Sequence, residues 1–231
     1  MQTRPSHGET AGEGLQGVVE ALTPMQLELV QAGDPILRQT ARLLSAQEIV
    51  SAEIRELIES MRETMRKAPG VGLAAPQVGH SLQLAVIEDR AEYTQNVSRE
   101  LLKERERKPV SFHVIINPRL ALIEDSSVEF FEGCLSVTAM MAIVPRCRKV
   151  RVEYLNEKAQ PQIIEASGWY ARILQHEIDH LNGTLYIDRM DSRSLTTVEN
   201  FNRHWKDKPI AEAKKSFHFN ERLWLNTRIS R

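Results

Sequence analysis

The sequence predicts a mixed fold in which strands crowd the middle of the chain and a strong helix lies on either side of them. Three observations carry that expectation. Ile54, Leu57, Ile58, Met61 and Met65 recur at the spacing of one helical face. Val150, Val152 and Tyr154 alternate with Lys149, Arg151 and Glu153, as in a half-buried strand. A second helical stretch, about Trp169 to Asn182, sets an apolar stripe of Leu174, Ile178 and Leu181 beside a separate stripe of Ile173, His176, Glu177 and His180.

Taken in order, residues 1–26 read as a disordered, Gly- and Ser-containing tail. Arg4 is its one basic residue against Glu9, Glu13 and Glu20, a balance that fits neither a secretory signal nor a transit peptide. A compact domain then runs over 27–191. Leu27, Leu29 and Val30 suggest an edge strand, and Asp34-Pro35 an N-cap with proline at the first helical position. The first strong helix spans about Ser51 to Lys67, acidic early and basic late, and Ala68-Pro69-Gly70 stops it. Strands are expected at Leu82–Ile87, Phe112–Ile116, Val128–Phe131, Ile143–Leu155 and Gln162–Glu165, with a solvated, charge-rich insertion from Glu88 to Pro109. The helix from Trp169 ends before Gly183. Residues 192–231 form a basic extension of net charge +5, with Phe201, Trp205, Phe217, Phe219 and Trp224 interleaved.

Composition excludes several classes. With 30 Lys and Arg against 31 Asp and Glu, the net charge is −1, which argues against a general nucleic-acid binder. No run approaches the roughly 20 apolar residues of a membrane span. Two cysteines cannot build a disulfide-stapled secreted scaffold, so the reading is cytoplasmic, with an organellar location left open.

His176-Glu177-Ile178-Asp179-His180 is an H-E-x-x-H sequence. Two histidines one helical turn apart aim ring nitrogens at one ion, and the adjacent glutamate reaches a water beside it. A third donor is required. Downstream, Glu199, His204 and His218 stand at unpersuasive spacings; upstream, Glu132-Gly133-Cys134-Leu135-Ser136 offers a thiolate, although an isolated cysteine is more often a small buried residue. Cys147, between Arg146 and Arg148, suits that blander role better. A third segment, Gly70-Val71-Gly72-Leu73-Ala74-Ala75-Pro76-Gln77, permits close backbone approach and ends in a neutral amide able to donate to a developing oxyanion.

The three segments, in that order, resemble the signature motifs of the peptide deformylases, which remove the N-formyl group from the initiator methionine of nascent polypeptides. The resemblance covers about Leu27 to Asp191, including Pro35-Ile36-Leu37-Arg38 and Val114 to Pro118. It implies an α+β fold, antiparallel strands packed around a central H-E-x-x-H helix, and makes 27–191 the catalytic domain. It implies Cys134, His176 and His180 as ligands of one divalent metal, Fe2+ in the first place, with Zn2+, Ni2+ or Co2+ able to replace it. Glu177 becomes the general acid/base, while Gln77 and the Leu135 N–H hold the formyl oxygen. Backbone groups at Val71, Gly72 and Gly133 contact the N-formylmethionyl peptide, and Phe130, Trp169 and Ile173 line the pocket for the methionine side chain. Glu132 and Arg146 pair to brace the cysteine segment. Thr138 and Met141 stand where many bacterial members carry a proline and an arginine, so the charged rim contact is in doubt, and Met140 with Met141 gives a more apolar entrance. The basic extension suggests contact with the ribosome; packing of its aromatics on the domain or a second subunit is the competing expectation. A zincin-type metalloprotease and a non-catalytic, metal-stabilised nascent-chain binder are the rival readings. The upstream thiol argues against the first and the intact Glu177 against the second.

Overall fold

The computed structural model describes residues 26–123 and 126–217. The expected N-terminal tail, His218, Phe219 and Trp224 lie outside them. A short turn, Pro35–Arg38, is capped by Asp34, whose carboxylate accepts from the Ile36 N–H. Helix α1 (Ala46–Ile49) follows, then α2 (Ala52–Lys67), capped by the Ser51 hydroxyl. All five residues of the expected apolar face of α2 are buried.

Strands β1 (Gly72–Ala74), β2 (Leu84–Asp89), β3 (Val110–Leu122), β6 (Lys149–Leu155) and β7 (Pro161–Ser167) form one antiparallel sheet in the order β1-β2-β3-β6-β7. Strands β4 (Ser127–Cys134), β5 (Val137–Cys147) and β8 (Thr196–Thr197) form a second. Helix α4 (Gly168–Leu181) packs against strands of both. Strand β2 shows why the larger sheet must be covered twice. Leu84 and Val86 join α2 in one core cluster, whereas Ala85 and Ile87 join Leu174, Ile178 and Leu181 of α4 in another. Every residue of β2 is buried, so the strand has no solvent-exposed face.

Three expectations change. The single strand over Ile143–Leu155 is two, β5 and β6, belonging to different sheets. The chain bends at Arg148, whose N–H donates to the Ser126 carbonyl while its own carbonyl accepts from the Gly168 N–H. The bend falls among Arg146, Arg148 and Lys149, and no glycine, asparagine or aspartate marks it as a turn. Leu27–Val30 is extended but pairs with no strand; the Val30 N–H donates to the Gln77 carbonyl and the Ala32 N–H to the Ser136 carbonyl. The insertion is not simply solvated. Glu88 and Asp89 belong to β2 and are buried against Arg66 and Arg107, and a short helix, α3 (Arg99–Glu104), buries Leu101.

Part of the basic extension packs on the domain. Strand β8 pairs with Met140 and Met141, and helices α5 (Val198–His204) and α6 (Ile210–Ser216) bring Phe201, Trp205, Ile210 and Phe217 onto Phe131 and Ile143. Arg203, Lys206 and Lys215 remain exposed. No described helix is long and apolar enough to cross a membrane.

Candidate functional site

Two elements bring the donors together. Helix α4 presents His176 and His180 one turn apart, and the tip of the β4–β5 hairpin presents Cys134, where the pairing register shifts between Gly133 and Cys134. One donor atom from each of Cys134, His176 and His180 lies within 4.8 Å of the others. Cys134 Sγ is 3.2 Å from His180 Nε2. Among the described residues, the Nδ1 atom of His180 has no hydrogen-bond partner. Burial, reinforced by the neighbouring His176, holds the His180 ring well below the usual histidine range, which keeps it a neutral lone-pair donor. Sulfur and two imidazoles suit a divalent transition-metal ion, and three protein donors leave a position open for substrate. The donor set therefore fits the ion that the motifs imply.

His176 is oriented from behind. Its Nδ1 lies 2.9 Å from Glu132 Oε2, which fixes the tautomer and leaves Nε2 for the ion. Glu132 also accepts from Arg146 at 2.9 Å through both oxygens, and from Arg172 Nη1 at 2.6 Å. Burial works against charge on Glu132, but His176 and Arg146 hold the carboxyl well below the ordinary carboxylate range. Arg146 continues to Asp179, and Asp179 accepts two bonds from Arg189 at 2.6 and 2.7 Å. The expected Glu132–Arg146 pair thus exists, and it braces the first histidine as well as the cysteine strand.

Glu177 is buried beside the donors, and its Oε2 has no partner among the described residues. Burial pushes its carboxyl up to about 7, where it can both take and give a proton near neutrality. Gly72 makes room for it. A Cβ on Gly72 would sit 2.5 Å from the Glu177 carboxyl carbon and 2.8 Å from Cγ. Gln77 is also buried. Its Oε1 accepts from the Ala74 N–H at 2.9 Å, and its Nε2 points to Cys134 Sγ at 3.4 Å and Ser136 Oγ at 3.2 Å.

These groups open on a cavity of about 540 Å³. Val71, Gly72, Gln77, Glu132, Gly133, Cys134, Leu135, Trp169, Ile173, His176 and Glu177, each singled out from sequence, line it. Phe130 does not: Phe131 lines the cavity, while Phe130 meets the Trp169 ring edge-on with 6.4 Å between ring centres. Thr138, Met140 and Met141 form part of the wall. Glu199 pairs with Arg203 and His204 stacks near Trp205, so neither joins the donors. Sequence reasoning missed Arg172, Asp179 and Ser136, all buried. Arg172 alone left a legible signal, a charge amid the apolar run Ala171-Arg172-Ile173-Leu174.

Fold and site define a class first: an H-E-x-x-H helix whose two histidines meet a cysteine from a strand hairpin, a donor set able to hold the metal of a hydrolase. The comparisons make it particular. A family model described as polypeptide deformylase matches residues 26–195. A chloroplastic peptide deformylase 1A of Solanum lycopersicum is 46% identical over 184 residues, covering 80% of this chain and 65% of the relative. This chain thus spans just under two thirds of that relative's length. Peptide deformylase 1 of Bifidobacterium longum is 41% identical over 194 residues, 84% of this chain and 86% of the relative. The crystal structure of a Met-Ala-Ser-bound class I type b peptide deformylase from Acinetobacter baumannii matches with a TM-score of 0.65 at 31% identity, over 73% of this chain and all of that one. The chain belongs to the peptide deformylase family, hydrolases that remove N-formyl groups from nascent polypeptides with a single catalytic divalent metal.

Proposed function

We propose that this chain hydrolyses the N-formyl group of an N-formylmethionyl peptide, releasing formate, with Cys134, His176 and His180 holding the metal and Glu177 moving the proton. The observation that carries the reading is the approach of those three donors to within 4.8 Å of one another beside a buried carboxylate oxygen with no described partner. The bound cation, Fe2+ with Zn2+, Ni2+ or Co2+ as replacements, supplies Lewis-acid polarisation and acidifies water. Glu177 accepts the proton of the attacking water at its carboxylate and passes it to the leaving amine nitrogen. Gln77 Nε2 and the Leu135 N–H receive the formyl oxygen as negative charge develops on it. A close fit around the formyl carbon excludes acetyl groups.

Strand β1 supports the peptide's placement. It is the edge of its sheet, so the backbone of Gly72 is available to a substrate adding as a further strand; Val71, whose carbonyl accepts the Glu88 N–H, lines the same cavity with Gly133. Trp169 and Ile173 receive the methionine side chain, and Phe130 supports Trp169 from behind. The Acinetobacter deformylase was crystallised with Met-Ala-Ser bound, a peptide that begins with methionine as the deformylated product does. The exposed Arg203, Lys206 and Lys215 on the 192–231 extension support a contact with ribosomal phosphate. The chloroplastic relative supports an organellar location beside the cytoplasmic one expected from the sequence.

Formate release from a formyl-Met peptide tests the reading. General acid–base catalysis contributes roughly 10²- to 10⁴-fold, about 3–5.5 kcal/mol, and Glu177→Ala is expected to lose at least the lower figure while retaining metal. A Glu177→Ala protein with near wild-type formate release rules the assignment out.

A further inference from the structure

The insertion between β2 and β3 is seated beside the start of α4, and four consecutive residues anchor it to α6, Trp169, Arg148 and β2. The Glu104 carboxylate accepts the Ile210 N–H of α6 at 3.1 Å. The Arg105 guanidinium lies over the Trp169 ring, 5.8 Å from its centre. Glu106 pairs with Arg148. Arg107 donates two bonds of 2.8 Å to Asp89 and places its guanidinium 5.2 Å from the centre of the same Trp169 ring. The fit is close enough to need glycine opposite. Gly168, at φ +59°, would drive a Cβ into the Glu106 side chain and to 2.8 Å from the Arg105 carbonyl oxygen.

Two guanidiniums on one indole repel each other, and something must hold them. Burial, then Arg107 beside it, lowers the Arg105 pKa from its ordinary value. The holding group is Asp89, whose side chain is fully buried at the end of β2 and accepts the planar fork of Arg107 with both oxygens. From there the contacts run inward without a break. Trp169 meets Phe130 edge-on, Arg172 lies 5.3 Å over the Phe130 ring, and Arg172 bonds to Glu132, which orients His176.

We propose that the Asp89–Arg107 pair is a positioning device for substrate selection: it fixes the Trp169 ring and thereby the wall of the pocket that takes the methionine side chain. The inference rests on the pocket assignment made under the proposed function and adds to it residues that touch neither substrate nor metal. It gives the insertion a task that its charge-rich composition hides. Lysine is not equivalent to Arg107, because an ammonium can pair with Asp89 but presents no planar fork to the indole.

The test compares formyl-Met and formyl-Ala peptides in four metal-loaded proteins: wild type, Arg107→Lys, the double variant Asp89→Asn with Arg107→Gln, and Trp169→Ala. Arg107→Lys keeps the buried carboxylate paired, so it guards against a folding failure in the double variant. For Arg107→Lys and the double variant, KM for formyl-Met is expected to rise roughly tenfold, as one mis-packed methylene costs, with kcat held. The formyl-Ala peptide, whose methyl falls short of the wall, is expected to keep its wild-type constants. Equal losses on both peptides would overturn the proposal, since that is what a merely structural role gives. Unchanged constants on both, with Trp169→Ala still raising KM for formyl-Met, would overturn it and leave the pocket assignment standing. If Trp169→Ala moves neither peptide, the pocket assignment fails and the proposal falls with it.

Discussion

Gly72→Ala is the smallest change that addresses the proton carrier without touching it. The added methyl would sit 2.5 Å from the Glu177 carboxyl carbon, where ordinary contact begins at 3.4 Å. Glu177 or strand β1 must therefore yield by about 1 Å, and a displacement of that size in a reacting geometry costs roughly 100-fold, about 2.7 kcal/mol of barrier. The loss should fall on kcat. Gly72→Ala and wild type would be assayed for formate release after metal content and thermal midpoint are checked. A Gly72→Ala protein that holds its metal and turns over within roughly threefold of wild type would refute the claim that this glycine exists to seat Glu177.

Glu132→Gln should leave Arg172 buried without its carboxylate and Arg146 with Asp179 alone, at a cost of about 3–5 kcal/mol in denaturant unfolding, and weaken metal affinity roughly 10- to 100-fold. Unchanged affinity would show that the carboxylate does not orient His176. Deleting residues after Asp191 removes the cover over Phe131 and Ile143, so the thermal midpoint should fall by at least about 5 °C. Reversing the exposed Lys206 and Lys215 to Glu leaves that packing intact and should weaken ribosome co-sedimentation and flatten its salt dependence. Equal co-sedimentation at every salt concentration would reject docking through this surface.

Much of the site was legible because its chemistry is local in sequence. The Met61 and Met65 face of α2 and the paired stripes of α4 are periodic, and periodicity survives without knowledge of partners. His176, Glu177 and His180 share one helix, so spacing alone groups them. Cys134 has no such neighbour: its membership depends on a hairpin 42 residues away from His176, and only the resemblance to a three-motif family joined them. What stayed hidden was set by tertiary contact. The bend at Arg148 carries no glycine, asparagine or aspartate to announce it. Phe130 and Phe131 are identical in kind, and only tertiary packing decides that Phe131 lines the cavity while Phe130 meets Trp169. Asp89 and Arg107 read as two charges among many, because their meaning depends on a buried pairing across 18 residues and on the Trp169 ring beneath it. Composition separates none of these from a solvated loop.

The central claim is that one ion sits among Cys134, His176 and His180. Metal analysis of anaerobically purified protein, comparing Cys134→Ala with Cys147→Ala, tests it most directly. The account predicts one equivalent of divalent metal per chain in wild type and in Cys147→Ala, and loss of tight binding in Cys134→Ala. Stoichiometric metal in the Cys134→Ala protein would contradict it.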